Sequence, residues 1–320
     1  MTAGETIQRA HRDIQEIFRT QTADLARACE QARDRLAAVP SLDPADRDAE
    51  DDWDTLTSDL RVLLGFTSQT GVPIGKPEQF RALVLDLLWH LHTNNRSDLG
   101  AVLAQDVYHR WSAELGMRHA DRVSAAEYCA LCLLDIGDGN TALPLLRETV
   151  QLRTEAHGAN HAVTLHATAD LCRCFNNVED YHQALRLSQD TVSVCTRVLG
   201  GDDRTTLYAT TQLATSLFGL GEYEMALATY RDVHERNRRL FGTDNLSTLL
   251  AAENVAITLQ KMGDHETARE LNTDVLHRYE RLLGKKDDRT ERVRIRLSAN
   301  LGALGRKDEA SAVYGPGPDF

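Results

Sequence analysis

Proline is scarce and unevenly placed: of seven in 320 residues, only Pro144 lies between Glu78 and Tyr314. Proline removes a backbone donor and breaks helices and central strands, so that long stretch lacks a strong interrupter of regular structure. Aromatic residues are thin at 6%. No run approaches the ~18–20 consecutive apolar residues that a membrane-spanning helix needs. Met1–Arg19 alternates charged and apolar residues and has no continuous apolar centre, which argues against a secretory signal. Basic residues number 36 against 48 acidic ones, a net charge of −12. Phosphate contacts need clustered Lys and Arg, so a general nucleic-acid partner is not expected. His-Glu-x-x-His and Gly-x-Ser-x-Gly are both absent, which removes two recognisable catalytic frameworks. These absences leave a folded, soluble chain, expected in the cytoplasm, with neither a membrane nor a nucleic acid as its partner.

What is present is a repeat. Glycines fall at Gly116, Gly158, Gly200, Gly242 and Gly284, each 42 residues after the last. Ala142, Ala184, Ala226, Ala268 and Ala310 keep the same period, as do Thr164, Thr206, Thr248 and Thr290, and Leu171, Leu213, Val255 and Leu297. The repeat covers about Arg118 to Tyr314. Each unit reads as two helices. In the clearest copy, Thr206–Leu220 carries Leu207, Leu213, Ala214 and Leu217 at helical spacing, and Gly221 ends it. A second helix is predicted over Tyr223–Phe241, with Ala226, Tyr230, Val233 and Leu240 on one face. The next unit opens at Asp244–Thr248, where a short polar side chain can cap orphan amides. The small column follows from close packing, since two helices approach closely only where a side chain is small.

Gln79–His92 and Asp98–Leu115 read as one earlier, divergent hairpin, with Leu91 and Leu103 one period before Leu133 and Leu145, and Gly100 in the alanine column. That makes about six hairpins. Upstream, Thr6–Val39 reads as one long helix with the apolar stripe Ile7, Ile14, Phe18, Leu25, Ala32 and Leu36. The spacing admits self-association into a homodimer through this helix, and favours packing against the repeats. Pro40–Trp53 reads as an acidic linker, Trp53–Phe66 as a short helix and Thr67–Pro77 as a loop. The expected organisation is an N-terminal helical region over 1–77, repeats over 78–314 and a flexible tail over 315–320.

Three features invite chemical readings. Gly71-Val-Pro-Ile-Gly-Lys-Pro superficially suggests a phosphate loop, but only three residues separate its glycines, and Pro77 stands where Ser or Thr would hold Mg²⁺. The six cysteines are Cys29, Cys129, Cys132, Cys172, Cys174 and Cys195. Cys172 and Cys174 on one helix point ~200° apart, so these side chains read as small buried hydrophobes rather than zinc ligands. His119 and His161 occupy equivalent connector positions and read as structural. No cofactor and no metal is expected, and the chain is read as non-enzymatic.

Leu213, Ala214, Gly221, Tyr223, Ala226 and Tyr230 together resemble the tetratricopeptide repeat, which normally recurs every ~34 residues. The longer unit here, with Gly242-Thr243-Asp244 followed by Thr248-Leu249, resembles the kinesin-light-chain type. Gly158, Asn160, His161, Thr164 and Leu165 give a second match. With Trp111, Leu115 and Gly116, the linked Gly and Thr columns are similar to the tetratricopeptide-repeat proteins of bacterial FxSxx-COOH peptide gene clusters. The resemblance implies an all-α, right-handed superhelix (solenoid) whose first helices line a groove. Candidate groove residues are then read by column: His166, Tyr208 and Arg292; Asp170, Gln212, Asn254 and Arg296; Arg173 and Thr215; Asn177 and Lys261. In the resembled repeats an Asn at the Asn254 position grips the backbone of an extended peptide, and Gln212 carries the same amide chemistry. His166, Arg173, Asn177, Tyr208 and Gln212 suit a peptide's amides and one acidic or terminal carboxylate. Asp170 and Arg296 depart from the pattern. The expected function is an adaptor or scaffold binding a peptide or an extended protein segment, with a cluster-encoded peptide or its modifying enzyme as client. The alternative is a peptide-responsive regulator whose N-terminal helices contact an effector.

Overall fold

The structure, a computed structural model, describes residues 2–20, 24–43 and 49–314. The expected tail at 315–320 and the middle of the acidic linker lie outside the described residues. All regular structure in the described residues is helical: α1 (Ala3–Thr20), α2 (Leu25–Ala37), α3 (Glu50–Thr70), α4 (Glu78–Thr93), α5 (Ser97–Glu114), α6 (Ala120–Asp135), α7 (Gly139–His157), α8 (Ala162–Asn177), α9 (Tyr181–Val198), α10 (Arg204–Gly219), α11 (Tyr223–Phe241), α12 (Leu246–Lys261), α13 (His265–Leu282), α14 (Asp288–Ala303) and α15 (Lys307–Tyr314). From α4 onward these form six consecutive hairpins, as the period predicts. Contacts divide the chain into two units, Met1–Ala156 and His157–Phe320.

Helix ends explain the period. Each helix leaves unpaired amides at its start and unpaired carbonyls at its end. The first helices start on His119, His161, Asp203, Asn245 and Asp287, a single column. Each of these side chains accepts from the amide two residues on, for example Asp203 from Thr205 at 2.7 Å and Asn245 from Ser247 at 2.9 Å. His119 and His161 do the same through Nδ1, which gives them the structural role expected. The repeated glycines Gly116 to Gly284 all adopt left-handed φ between 85° and 95°. An added Cβ would meet nothing within 4 Å at Gly242, so conformation rather than space demands glycine there. The carbonyl of Gly242 accepts from Thr248 Oγ1 at 2.8 Å, and Gly200 and Gly284 accept likewise from Thr206 and Thr290. One hydrogen bond thus links the glycine and threonine columns at three of the four threonines; Thr164 Oγ1 is buried and makes no such bond.

A second left-handed column went unread in the sequence because two of its members are not glycine. It runs Asn95, Gly137, Glu179, Gly221, Gly263, Gly305. After each, the next amide reaches back five residues, as in Asp180 N to Phe175 O at 2.9 Å and Glu222 N to Leu217 O at 3.0 Å, the bond that closes a Schellman cap. Gly100 is different: it is held by space, because a Cβ there would stand 2.7 Å from Cys132 Sγ.

In the first unit, the expected single helix over Thr6–Val39 is two helices, α1 and α2, packed on each other and on α3. Asp24, inside the expected helix, caps α2 by accepting from Arg27 N at 3.1 Å, so the break is encoded locally. The stripe residues Ile7, Ile14, Ala32 and Leu36 are buried in the unit's own core with Trp53, Phe80 and Trp111. Helix α3 also starts earlier and ends later than expected: Glu50, Asp51 and Asp52 form its first turn, where acidic side chains complement the helix dipole. Trp53 stacks on His90 of α4 with ring centroids 4.9 Å apart. The Gly71–Pro77 segment is spoken for by side chains. Glu114 accepts from the amides of Ile74 (3.2 Å) and Gly75. Arg110, Trp111, Arg33 and Arg81 donate to the carbonyls of Val72, Ile74, Pro73 and Gly75. The amides a phosphate would need are held by a protein carboxylate.

In the second unit each second helix packs between its own first helix and the next: α9 on α8 and α10, α11 on α10 and α12, α13 on α12 and α14. Ala184, Ala226 and Ala268 are fully buried at these crossings. Cys172 and Cys195 are buried too, and desolvation pushes their thiols up to about 12 and about 11. They fill space as thiols, like Cys129 in the first unit.

Two stability measurements test this account. Glu179→Gly removes the left-handed cost of about 1–2 kcal/mol and adds unfolded-state entropy, so urea unfolding should show a net gain of about 0.5–1 kcal/mol; a loss would mean the glutamate side chain holds the turn. Thr248→Val keeps shape but orphans the Gly242 carbonyl, and should cost about 1–2 kcal/mol; no change would detach the threonine column from the glycine column.

Candidate functional site

The second unit contains a cavity of about 710 Å³ on the face made by α8, α10 and α12, closed on one side by the end of α11. The repeat places it. Residues one period apart project from successive first helices in the same direction, so a polar column becomes a lining. Of the sequence-derived candidates, His166, Arg173, Asn177, Tyr208, Gln212, Thr215 and Asn254 all line this one cavity. Asp170, Lys261, Arg292 and Arg296 are not among the lining residues.

Asp170 lies beneath the lining, 2% exposed. Its Oδ1 accepts from Tyr208 OH at 2.9 Å, and its Oδ2 stands 3.9 Å from His166 Nε2. The His166 and Tyr208 rings stack at 5.5 Å. Burial, then the Asp170 charge, holds the Tyr208 phenol well above its ordinary pKa, so it remains a hydrogen-bond donor at any physiological pH. Arg296 donates to Glu253, a carboxylate only 2% exposed that also accepts from Tyr279 OH at 2.6 Å. Lys261 and Arg292 are exposed on α12 and α14. The two column members that depart from the amide pattern are therefore the two already bonded inside the protein.

The other two are open. Gln212 is only 6% exposed, and it lines the cavity. Neither its carboxamide nor that of half-buried Asn254 has a hydrogen-bond partner among the described residues. Thr215 shares a hydrogen bond with Tyr230 OH at 2.8 Å, and burial pushes that phenol up to about 12.

Sequence reasoning missed the side contributed by the connectors and by α11. Arg204 stands at the first turn of α10 with its guanidinium carbon 4.7 Å from the Phe241 ring centre. Asn237, 5% exposed, donates from Nδ2 to Ser247 O at 3.1 Å. Leu207, Leu250 and Ala251 add an apolar floor. Reading first-helix columns alone could not reveal residues from a helix end and the next helix start. The lining carries Arg173, Arg204 and His166 and no carboxylate, in a chain of net charge −12. Such a surface offers amide donors and acceptors, apolar contact and positive charge.

The bonded column members make a stability prediction. Arg296→Ala strands Glu253 in the interior and should cost about 2–3 kcal/mol in urea unfolding, toward the low end for a buried pair because the guanidinium is partly exposed. Lys261→Ala should change stability by less than about 0.5 kcal/mol. Equal effects would mean that Glu253 needs no cation.

The geometry agrees with comparisons to known proteins. Residues 167–239, 205–280 and 247–315 match the tetratricopeptide repeat model in overlapping registers. No curated protein matches the chain by sequence. Among solved structures, BtubC (BKLC) from P. vanneervenii is 16% identical, covering 71% of this chain and 94% of its own, with a TM-score of 0.53. A signal-transduction ATPase with a tetratricopeptide repeat sensor from Pyrococcus horikoshii is 11% identical over 96% of this chain and 45% of its own, with a TM-score of 0.50. The nearly identical TPR-like repeats of a kinesin-light-chain candidate from Podosopora anserina are 18% identical over 64% of this chain and 98% of theirs, with a TM-score of 0.49. At such identities the likeness is one of fold. Residues 167–315 match the tetratricopeptide repeat model, and the helical-hairpin fold of the described residues is like that of BtubC (BKLC).

Proposed function

We propose that this chain is a non-enzymatic adaptor that holds an extended peptide, or an extended segment of a partner protein, in the cavity between α8, α10 and α12. The observation that carries the reading is the pair of open carboxamides at Gln212 and Asn254, one repeat apart in a cavity that is also lined by the Arg204 guanidinium and by no carboxylate. A carboxamide matches a peptide group, donor to acceptor and acceptor to donor. The cationic lining favours a segment bearing an acidic side chain or its own terminal carboxylate. The client is a peptide of a ribosomal-peptide gene cluster or the enzyme that modifies it, and the complex forms in the cytoplasm, where six free, buried cysteines are at home. The adaptor reading is preferred to a regulator because α1–α3 share one continuous core with α4–α6, which favours a fixed N-terminal region.

The test is retention of a polypeptide from native cytosol by the purified chain, compared with Gln212→Ala, Asn254→Ala. Two lost hydrogen bonds of about 1 kcal/mol each should weaken retention roughly tenfold or more, with thermal unfolding nearly unchanged. Equal retention by the variant sinks the groove assignment. Hydrogen exchange in α1–α3 should be the same with and without the retained polypeptide; a clear change there favours the regulator.

A further inference from the structure

The groove columns continue into the first unit and change sign there. Asp86 and Trp89 on α4 stand three periods before Gln212 and Thr215, two residues that line the cavity of the second unit. One period on, α6 carries Tyr128 and Leu131 in the same columns and packs directly on α4. We infer that the face of α4 bearing Asp86 and Trp89 is a second docking surface, and that its occupant is an arginine side chain of an extended partner segment. The inference concerns the first unit alone and does not rest on the cavity reading above.

The argument starts from a carboxylate without a counter-charge. Asp86 is half-buried and has neither an ion pair nor a hydrogen bond among the described residues. Burial pushes its pKa upward, and no cation opposes the shift. The other acid of these columns in the first unit is already taken: Asp135 Oδ2 stands 2.7 Å from His92 Nδ1 and accepts from Ser97 Oγ at 2.6 Å. Nor is a neighbouring cation free to answer Asp86. The largely buried Arg81, Arg122 and Arg153 are paired with Asp121 (2.6 Å), Glu148 (3.2 Å) and Glu127. Releasing one of them would leave a second carboxylate unpaired.

The aromatic partner lies one helical turn away. Residues three apart share a helix face, so Trp89 and Asp86 look out together. Trp89 is 37% exposed, whereas Trp53 and Trp111, the other two tryptophans of the chain, are fully buried. An indole face attracts a cation, and a guanidinium plane can stack on it while its fork donates to a carboxylate. Lysine can make the ion pair and lacks the stacking plane. The cavity of the second unit has the opposite character, with Arg204 and no carboxylate in its lining. The two surfaces therefore select different side chains.

The test uses the full chain and an mRNA-displayed library of random dodecapeptides. Wild type should enrich a class with arginine at one fixed position. Affinity for that class should fall about tenfold or more with Asp86→Asn, the loss of one charge-assisted pair. Trp89→Leu, which installs the side chain that the next repeat carries, should also weaken it severalfold. Gln212→Ala, Asn254→Ala should leave it within about threefold. Replacing the peptide's arginine by citrulline keeps the shape without the charge and should cost about tenfold on wild type; lysine should cost less. Binding should change the emission of Trp89, the tryptophan that solvent reaches. No arginine class, or one that Asp86→Asn binds equally well, overturns the inference. So does a class lost only in the Gln212, Asn254 double variant, which places it in the second unit. Equal binding of a scrambled peptide of the same composition also overturns it, because the net charge of −12 would then suffice. The citrulline and emission measurements need wild type alone: unchanged affinity for the citrulline peptide, or unchanged emission, overturns the inference even where a variant fails to fold.

Discussion

The polar groups left over where one helix stops and the next begins govern this architecture. Hairpins meet at two kinds of junction, and the same few devices recur at most of them. A left-handed residue turns the chain, a backbone bond reaches back over it, and a short polar side chain caps the following helix. The Thr248–Gly242 bond, with its counterparts one period away, joins the end of one unit to the start of the next. An insertion or deletion of one residue would break that bond and rotate every helix face beyond it. The strictness of the 42-residue period follows from this, and so does the regular presentation of side chains in columns.

Columns make a lining possible but do not decide its chemistry. Four equivalent positions on α8, α10, α12 and α14 begin with the same direction in space and end with two roles. Asp170 and Arg296 are drawn down into the protein by Tyr208 and Glu253. Gln212 and Asn254 are left facing the cavity. A repeat protein can thus tune recognition without disturbing its scaffold, by supplying or withholding an internal partner for a column residue. The partners sit at neighbouring columns, so one substitution in one repeat changes what the adjacent repeat offers.

The first unit shows the complementary lesson. Before α4 its sequence departs from the period, and there the helices were only partly legible. The break between α1 and α2 was signalled by Asp24, a short-range cap hidden inside an apparently continuous apolar stripe. The Gly71–Pro77 segment looked superficially like an anion loop because its glycines and prolines are those of a tight turn. Its amides do meet an anion, but that anion is the Glu114 carboxylate, and the segment serves to join α3 to the first hairpin. Asn95 and Glu179 occupy left-handed positions in a column otherwise filled by glycine, because the backbone demand is for the conformation and not for one residue type.

Taken alone, the sequence determined the hairpins, their number, their boundaries to within a few residues and the faces that pack. These depend on helix periodicity, caps and left-handed turns, which are settled by residues within about six positions of one another. It also placed seven of eleven candidate residues in one cavity, because a fixed period carries direction from repeat to repeat. Tertiary structure alone decided which column members are open. Tyr208 reaches Asp170 across 38 residues and Arg296 reaches Glu253 across 43, and Arg204, Asn237 and Phe241 come from a helix start and a helix end that no first-helix column contains. Hydrogen-bond partners at that separation meet only after neighbouring hairpins have packed, so their pairing is a property of the packed repeats and not of any one of them.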